Sequence, residues 1–261
     1  MTSLNGKIVL ITGASSGIGQ ACAHAFAAAG AQLLLCARRG ERLLELTTLL
    51  TQQYQAKNHY FTLDVRDQRA CEDALAALPN EWCDIDILIN NAGLAAGLEK
   101  VQAGRIDDWE TMIDTNIKGL LYMTRLIIPQ MIKRNCGHII NMGSLAGHET
   151  YTGGAVYCAT KAAVHAINTG LKMDLLGTKV RVTSVDPGLV ETEFSQVRFK
   201  GDQTRAQAVY HGTQPLSAAD VADCILFCAT RPAHVNIRDL VLMPTCQSAA
   251  TLVDRREERT E

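Results

Sequence analysis

Two side chains in the second half of the 261-residue chain, Tyr157 and Lys161, have the types and spacing of a proton-transfer pair. If this segment is helical, residues four apart lie one turn apart on one face, so the phenol and the ammonium point into the same space. A free tyrosine has a pKa of about 10 and is a poor base at neutral pH. A cation ~4 Å away attracts a phenolate by roughly 4 kcal/mol at an effective dielectric of ~20. We therefore expect Lys161 to lower the pKa of Tyr157, so that the phenol exchanges a proton with a substrate oxygen near neutral pH.

A glycine-rich turn near the amino terminus has the composition of a phosphate-binding loop. Residues 7–12 form a β-branched and aliphatic run that is typical of a buried strand. The sequence Gly-Ala-Ser-Ser-Gly-Ile-Gly follows at residues 13–19, and an alanine-rich helical stretch follows at residues 20–29. Glycines let the backbone approach a pyrophosphate, and the helix amino terminus offers it free N–H groups. The strand–turn–helix context favours a dinucleotide site over the alternative of a plain glycine turn.

The end of the second predicted strand, residues 32–36, bears on which dinucleotide binds. NAD-specific Rossmann domains usually have an acid there for the adenosine ribose 2′-hydroxyl. This chain has Arg38 and Arg39 and no acid. Because arginine binds a 2′-phosphate in forked geometry, the pair predicts NADP. The alternative is that one of the two arginines is only a solvated charge at the start of a helix, and Arg39 is the better candidate for that. Asp64 and Val65, after the third predicted strand, are placed to meet an adenine edge.

Aliphatic runs alternate with helical periodicity along the chain and predict an α/β fold. The predicted strands are residues 7–12, 32–36, 60–63, 85–89, 138–142, 179–185 and about 239–243. The predicted helices are residues 20–29, 41–53, 67–78, 109–131 and 217–229, together with one that carries Tyr157 and Lys161. Small residues after the fourth strand, in the sequence Asn91-Ala92-Gly93, leave clearance for a bound cofactor. A polar stretch at about residues 189–215 is predicted to cover the substrate, and residues 248–261 form a charged tail.

Composition excludes several classes of partner. The net charge of −2 and the lack of clustered Lys and Arg argue against nucleic acid and anionic membrane surfaces. The chain has no run of ~18 uncharged apolar residues and no signal-peptide pattern, so we expect a cytoplasmic protein without a membrane partner. The nine cysteines lack framework spacing and are expected to be reduced core thiols. Although Cys224 and Cys228 are four apart, no His/Cys pair follows at ligand spacing, and no metal is predicted.

In this order and at these intervals, the motifs resemble those of the short-chain dehydrogenase/reductase family across nearly the whole chain. They are Thr12-Gly13-x-x-x-Gly17-Ile18-Gly19, Asn90-Asn91-Ala92-Gly93, Asn116, Ser144, Tyr157-x-x-x-Lys161 and Pro187-Gly188-x-x-x-Thr192. The resemblance implies one Rossmann-type, doubly wound domain over residues 1–247, with a parallel sheet of about seven strands. It also implies a catalytic tetrad. In that tetrad Tyr157 is the proton donor and acceptor, and Lys161 binds the hydroxyls of the nicotinamide ribose. Ser144 hydrogen-bonds the substrate carbonyl, and Asn116 holds a water of the proton relay.

The same resemblance implies the NADP-binding residues and the assembly. The NADP-binding residues are Gly13, Ser15, Ser16, Gly17, Ile18, Gly19, Arg38, Arg39, Asp64, Val65, Asn91, Ala92, Gly93, Tyr157, Lys161, Pro187, Gly188, Val190 and Thr192. Members of this family commonly form tetramers. The apolar helices around residues 109–131 and 157–176 are suitable interface material, so a homotetramer is expected and a dimer is the alternative.

Four further stretches resemble a narrower branch, the NADP-dependent 3-hydroxy acid dehydrogenases that act on serine and L-allo-threonine. They are residues 78–88, 108–116, 188–202 and 232–237. They imply hydride transfer between NADP and a small 3-hydroxy acid or its carbonyl form, of the serine, L-allo-threonine or 3-hydroxypropionate type. His148 and Glu149 stand where the branch usually has less polar residues, which leaves open a general carbonyl, 3-oxoacyl or steroid reductase. A non-catalytic NADP-sensing protein is the second alternative, and the complete tetrad counts against it.

A 3-hydroxy acid needs a cation for its carboxylate, ideally a forked arginine. Arg198, in the polar stretch that is predicted to cover the substrate, is the best candidate, and Lys200 and Arg205 are the alternatives. Ser144 is the other predicted substrate contact, and His148 is a further candidate. The competing interpretation of Arg198 is a solvated charge or an internal ion-pair partner.

Overall fold

The computed structural model describes residues 2–255 and has a parallel seven-stranded sheet at its centre. The strands in chain order are β1 Ile8–Thr12, β2 Gln32–Ala37, β3 Asn58–Thr62, β4 Ile87–Asn90, β5 Gly137–Met142, β6 Val180–Pro187, β7 Val190–Glu191, β8 Leu216–Ser217 and β9 Asp239–Leu242. The sheet has the order β3-β2-β1-β4-β5-β6-β9, and β7 pairs with β8 outside it. The strand order reverses between β1 and β4, which is where open sheets of this type bind ligands.

Nine α-helices connect or flank these strands within the described residues. They are α1 Gly17–Ala28, α2 Gly40–Tyr54, α3 Gln68–Ala76, α4 Ile106–Ile113, α5 Leu120–Arg134, α6 Ala155–Asp174, α7 Phe194–Arg198, α8 Gln203–Ala208 and α9 Ala218–Ala229. All seven predicted strands and the α/β, doubly wound fold class are confirmed. The polar stretch that is predicted to cover the substrate contains the two short helices α7 and α8.

Each central strand packs apolar side chains against both layers of helices, because successive residues point to opposite faces of a sheet. In β1, Val9 and Ile11 belong to a core cluster that includes residues of α1, α2 and α9. Ile8 and Leu10 belong to the opposite cluster, which includes residues of α3, α5 and α6. The sheet is thus covered on both faces, and its ligand-binding edge is the one formed by the carboxyl ends of the strands.

A turn of π-helix, Asp114–Gly119, joins α4 to α5, where the sequence predicted one continuous helix over residues 109–131. A π turn holds one more residue than an α turn, so it rotates the side chains that follow it. Helical periodicity does not reveal such an insertion, because the apolar stripe resumes after it. The π turn buries Thr115 and Asn116, and Asn116 is a member of the predicted tetrad.

The predicted tail begins inside the described part of the chain. Gln247 forms an antiparallel bridge with Val253, and Cys246 accepts a backbone hydrogen bond from Asp254. Residues 246–255, named here the C-terminal segment, also lie against the domain, because Ala250 donates to Glu149 and Arg255 donates to the His211 carbonyl. Residues 256–261 of the predicted tail lie outside the described residues, and the boundary at residue 247 remains a prediction. Among residues 2–255, no helix combines the length and apolar character that a membrane span requires.

Candidate active site

A cavity of about 530 Å³ opens at the carboxyl ends of β1, β4, β5 and β6. It is lined by every residue predicted to bind cofactor or substrate except Gly19, and by three of the four predicted catalytic residues. Asn116 lies behind the wall rather than in it. The predicted residues come from eight separated stretches of sequence, and the fold brings them to one place.

The glycine-rich turn forms one end of this cavity, here called the dinucleotide end. Gly13 and Gly17 have φ angles of +66° and +55°, a left-handed conformation that favours glycine. A β-carbon on Gly13 would lie 2.9 Å from the Cα of Ala92, so the turn packs directly on the end of β4. Gly19 does not line the cavity. A β-carbon on Gly19 would lie 2.5 Å from both the Gly13 carbonyl oxygen and Asn91 Nδ2. Gly19 thus allows close packing of helix and turn rather than ligand contact.

Hydrogen bonds tie this turn to the end of β4. The Thr12 hydroxyl accepts from the backbone N–H groups of Asn91 and Ala92 at 3.0 and 2.9 Å. The Asn91 amide donates in return to the Thr12 and Gly13 carbonyls at 2.9 and 3.2 Å. No side chain caps the amino terminus of α1 at Ser16, so the first N–H groups of this helix remain available to an anion.

Arg39 bridges this turn, contrary to the expectation that it is the solvated member of its pair. It donates from Nε to Ser15 Oγ at 3.2 Å and from Nη2 to Ser16 Oγ at 2.6 Å. It also forms an ion pair with Glu193 at 3.0 Å, and Arg42 pairs with the same carboxylate at 2.7 Å. Arg38 lines the cavity and forms no ion pair with any described residue. Two guanidiniums therefore border the place where a ribose 2′-substituent is expected, and only one of them is already engaged.

Asp64 and Val65 line the cavity next to the arginines, as predicted for an adenine contact. The Asp64 carboxylate accepts from Arg66 Nε at 3.0 Å on both oxygens and from Arg66 Nη2 at 2.6 Å. That hydrogen bonding holds the pKa of Asp64 below its usual value, so the carboxylate stays ionised. Arg66 is its main partner, and the charge of Arg38 acts on it more weakly and without an ion pair.

Tyr157 and Lys161 face the cavity from α6, as the spacing predicts, and both are buried. Lys161 Nζ donates to the Met142 carbonyl at 2.7 Å. Burial lowers the pKa of Lys161 to about 8, and the negative charge of Asp186 acts in the opposite direction. Ser144 stands at the end of β5, where its hydroxyl accepts from the Ala146 N–H at 3.1 Å. These three side chains surround the place where a carbonyl oxygen can accept a hydrogen bond and a proton.

Burial raises the pKa of the Tyr157 phenol, against the lowering expected from Lys161. Removal from water disfavours the phenolate, and Tyr151 adds to that effect. Interactions with the Ser144 hydroxyl and the Arg198 guanidinium favour the phenolate, but they are weaker than the burial effect. The ammonium of Lys161 is bonded to a backbone carbonyl instead. The prediction of a lowered pKa fails here because the helix spacing fixes which face the two groups share, but not what each of them binds.

Asn116 lies behind Lys161 and hydrogen-bonds Leu94, which forms part of the cavity wall. Its Oδ1 accepts from the Leu94 N–H at 2.9 Å, and its Nδ2 donates to the Leu94 carbonyl at 2.8 Å and to Thr160 Oγ1 at 3.0 Å. A β-carbon on Gly93 would lie 3.2 Å from Asn116 Oδ1 and 3.6 Å from Lys161 Nζ. The amide side chain is thus occupied by protein groups, and the predicted water contact of Asn116 remains a prediction.

Arg198, on α7, forms part of the opposite end of the cavity, here called the substrate end. Its Nε donates to the Gly97 carbonyl at 2.9 Å and its Nη1 donates to the Tyr151 hydroxyl at 3.0 Å. The guanidinium carbon lies 5.4 Å from the Tyr151 ring centre and 5.8 Å from that of Tyr157. Its Nη2 is buried without a hydrogen-bond partner. Since a buried guanidinium donor without an acceptor is unfavourable, this atom marks a place for an anionic or carbonyl oxygen.

The other two candidate cations are already paired with acids. Lys200 lies 2.9 Å from Asp108, and Arg205 lies 4.0 Å from Glu99. No described acid forms an ion pair with Arg198, so the internal ion-pair interpretation of that residue does not hold. Arg198 is therefore the cation of this stretch that is free to bind an anion in the cavity.

Sequence reasoning missed part of the substrate end. Tyr151, Val209 and Tyr210 line it, as do Gln247, Ala250, Val253 and Arg255 of the C-terminal segment. Glu149 Oε2 accepts from the Ala250 N–H at 2.7 Å, and Gln247 Oε1 accepts from the Leu189 N–H at 2.8 Å. Arg255 donates to the His211 and Val209 carbonyls at 2.6 and 3.1 Å. The sequence offered one signal for this contact, the unusual polar pair at residues 148–149, because Glu149 is the residue that anchors the C-terminal segment.

Comparison with known proteins agrees with this geometry. Residues 7–203 match the model of the short chain dehydrogenase family. The NADP-dependent 3-hydroxy acid dehydrogenase YdfG of Escherichia coli (strain K12) is 51% identical over 252 residues, which are 96% of this chain and 100% of the relative. Sulfoacetaldehyde reductase 2 of Chromohalobacter salexigens is 48% identical over 250 residues, which are 95% of this chain and 98% of the relative.

Solved structures give the same result over the whole fold. The closed form of a serine dehydrogenase complexed with NADP+ is 50% identical, superposes with a TM-score of 0.89, and covers 96% of this chain and 100% of that chain. The predicted family is confirmed by a match that spans most of the chain and by relatives of about half-identical sequence. The chain belongs to the short-chain dehydrogenase family.

Proposed function

We propose that this protein is an NADP-dependent oxidoreductase that interconverts small 3-hydroxy acids and the corresponding carbonyl compounds. The observation that carries the proposal is the buried, unpartnered Nη2 of Arg198, which lies in the same cavity as Ser144 and Tyr157. A carboxylate bound there places the neighbouring carbons of a three- or four-carbon acid near the phenol. The 3-hydroxy acid dehydrogenase YdfG, at 51% identity, supports the substrate class.

The residues of the dinucleotide end fit NADP. The Gly13–Gly19 turn and the uncapped amino terminus of α1 suit a pyrophosphate, and Arg38 and Arg39 suit a 2′-phosphate. A 2′-phosphate would compete with Glu193 for Arg39, and Arg42 would retain Glu193 as its partner. NADP supplies the hydride acceptor or donor of the reaction. The solved serine dehydrogenase complex with NADP+ supports the same cofactor.

The chain's own groups then handle the proton and the orientation of the substrate. In the oxidation direction the phenolate form of Tyr157 accepts the proton of the substrate hydroxyl and becomes the neutral phenol, while Ser144 hydrogen-bonds the substrate oxygen and steadies its developing charge. Arg198 holds the carboxylate in forked geometry, which fixes the distance from the anion to the reacting carbon. Lys161 would bind the nicotinamide ribose hydroxyls through its buried ammonium. Reduction runs through the same groups in reverse.

A sulfonate is the second anion that the same guanidinium suits. Sulfoacetaldehyde reductase 2, at 48% identity, is named for a small carbonyl compound that carries a sulfonate in place of a carboxylate. Sulfonate oxygens accept the forked donors of arginine much as carboxylate oxygens do. Reduction of sulfoacetaldehyde is therefore the second candidate activity.

We further propose a cytoplasmic homotetramer. All nine cysteines are free thiols in the structure, which fits a reducing compartment. Large apolar side chains are exposed on the predicted interface helices, among them Leu121 on α5 at 39% and Met173 on α6 at 70%. Burial of such a face between copies of the chain would remove it from water.

The test is NADPH formation from NADP with L-serine, L-allo-threonine and 3-hydroxypropionate, and NADPH consumption with sulfoacetaldehyde. We expect turnover with at least one of the acids. Arg198→Ala should lower kcat/KM for that substrate by roughly 10- to 100-fold, as expected for loss of a charge-assisted hydrogen bond. Lys200→Ala is the matched control, because Lys200 belongs to the same stretch but is paired with Asp108, and its kcat/KM should stay within about twofold.

Two results would contradict the proposal. Reduction of neutral ketones with no turnover of any acid or sulfonate would favour the general carbonyl, 3-oxoacyl or steroid reductase alternative. Tight NADP binding with no turnover of any carbonyl or alcohol would favour the NADP-sensing alternative. Turnover of sulfoacetaldehyde alone would keep the anion-binding role of Arg198 and change the substrate class.

A further inference from the structure

Two histidines and an aspartate meet beside the catalytic group, and the reaction proposed above uses none of them as a contact for substrate or cofactor. The ligand-type atoms of His148, His165 and Asp186 all lie within 4.8 Å of one another. They come from the loop after β5, from α6 one turn beyond Lys161, and from the carboxyl end of β6. No spacing rule joins residues so distant in sequence, so the sequence predicted no metal here.

The carboxylate is the fixed centre of this cluster. Asp186 is 1% exposed, and its Oδ1 accepts from the Ser184 hydroxyl at 2.6 Å. Its Oδ2 lies 2.9 Å from His148 Nε2. The two imidazole rings approach edge to face, with centres 4.8 Å apart. One carboxylate oxygen thus has a structural partner, and the other faces the histidines.

A second observation points to a missing partner at the same place. His165 Nδ1 and Asp239 Oδ1 are both buried without a hydrogen bond, and they lie 3.6 Å apart. At 3.6 Å the imidazole and the carboxylate form only a long ion pair, and only when the ring is protonated, so a cation between them would satisfy both buried atoms. Asp239 also supplies a second oxygen at the edge of the cluster.

We propose that His148, His165 and Asp186 bind one divalent cation of the zinc type. Two imidazole nitrogens and one carboxylate oxygen form a common zinc donor set, and the fourth position is open to water or to Asp239. Ligands of one tetrahedral zinc ion lie at about 2.0–2.2 Å from it and so roughly 3.4 Å from one another, which means that the widest pair in the cluster must close by up to about 1.4 Å. His148 can provide that movement, since its side chain is 29% exposed and lies on a surface loop.

Binding requires a rearrangement of hydrogen atoms but no redox step. His148 Nε2 must face the cation with its lone pair, so the ring carries its proton on Nδ1 and the hydrogen bond to Asp186 is replaced by two metal bonds. His165 coordinates through Nδ1, the atom that has no partner without the metal. The cation would connect the loop at residue 148 to α6 and β6 and should make the protein more stable to heat.

The experiment is titration of metal-free, full-length protein with zinc chloride, followed by calorimetry and by thermal unfolding. We expect one equivalent to bind and the melting temperature to rise with zinc concentration. His148→Ala and His165→Ala should each weaken binding by about 10-fold or more. His234→Ala is the control, because His234 is exposed and outside the cluster, and its affinity should equal that of the wild type.

Cobalt(II) distinguishes this site from binding at cysteine. A site of two imidazoles and a carboxylate gives ligand-field absorption without the intense near-ultraviolet band of a cobalt–thiolate bond. Cobalt spectra that contain the thiolate band would overturn the proposal, as would unchanged zinc affinity in both histidine variants. Because the readouts are binding, melting and absorption, they do not depend on the proposed reaction. Failure of that reaction would leave this result standing.

Discussion

The dinucleotide end and the substrate end of the cavity differ in how their walls are held. The dinucleotide end consists of strand ends and one turn, fixed by the backbone pairing of β1 with β2 and with β4. The substrate end is assembled from the loop before α6, the α7 and α8 region and the C-terminal segment. These parts are joined mainly by side chains, as in the contacts from Glu149 to Ala250 and from Arg198 to Gly97.

This difference means that the two ends respond differently to substitution. A wall made of a packed sheet edge changes little when one side chain is removed, so effects there should be confined to the group that touches the ligand. A wall made of side-chain contacts between distant segments loses its shape when one contact is lost. We therefore expect a substitution at one end of the cavity to change the affinity for NADP or for the substrate, but not both.

The largest effect is expected from Tyr157→Phe, at the boundary between the two ends. Removal of the hydroxyl takes away the proton donor and acceptor, so kcat should fall by roughly 10²- to 10⁴-fold. The ring remains, and the 5.6 Å packing of its centre against Phe194 should be kept. NADP affinity, measured by fluorescence titration, should therefore change by less than about threefold. Retained turnover with the phenylalanine would show that the proton passes through another group.

Arg39→Ala should produce the largest effect at the dinucleotide end. The guanidinium borders the proposed 2′-phosphate site, and the loss of one charged hydrogen bond to that phosphate, about 1.5–3 kcal/mol, should raise KM for NADP by roughly 10- to 150-fold. NAD is the matched control ligand, because it lacks the 2′-phosphate, and its KM should barely change. The substrate KM should also stay the same. Equal losses for NADP and NAD would mean that Arg39 only supports the turn.

The sequence was sufficient for the dinucleotide end because that end depends on local patterns. A buried strand, a glycine turn and a helix follow one another over residues 7–29, and their geometry is set by neighbours in the chain. The predicted strands differ from the observed ones by at most about two residues, as expected from local reasoning. Lys161 illustrates the limit, because the fold pairs its ammonium with the Met142 carbonyl, which no spacing rule specifies.

The substrate end and the cluster at Asp186 were beyond such reasoning. Arg198 was selected by chemistry alone, and its contacts with Gly97 and Tyr151 join residues 101 and 47 positions away. Residues 248–261 were predicted to form a charged tail, yet Arg255 of that range donates to the His211 backbone carbonyl at the substrate end. Polar side chains that bind distant backbone groups leave no periodic signal.

A smaller effect is expected from Glu149→Ala, which removes the anchor of the C-terminal segment. The lost hydrogen bond to the Ala250 N–H should be worth about 1 kcal/mol, so KM for the hydroxy acid should rise by roughly fivefold. KM for NADP should be unchanged, since the contact lies at the substrate end. Glu149→Gln keeps an acceptor oxygen and should restore most of the affinity. A matching loss of NADP affinity would contradict the separation of the two ends.

The last effect is expected in the sheet itself, at His138, and it concerns stability rather than binding. This residue lies near the start of β5, and its Nε2 is 2.8 Å from Thr183 Oγ1. Burial, helped by the charge of Arg181, holds the pKa of His138 well below its usual value, so the folded state keeps the ring neutral. The unfolded chain protonates it below a pH of ~6.5, and the free energy of unfolding should therefore fall as the pH drops below that value.

The slope from this one group is at most about 1.4 kcal/mol per pH unit. Urea unfolding between about pH 7 and pH 5 should show a steeper fall in the wild type than in His138→Gln, whose amide cannot be protonated in this range. His234→Gln is the control, because an exposed histidine is solvated in both states. NADP and substrate KM should not follow the change, since His138 is not among the residues that line the cavity. If the substrate affinity fell together with the free energy of unfolding, the sheet and the substrate end would be coupled, and the two ends of the cavity would not respond independently.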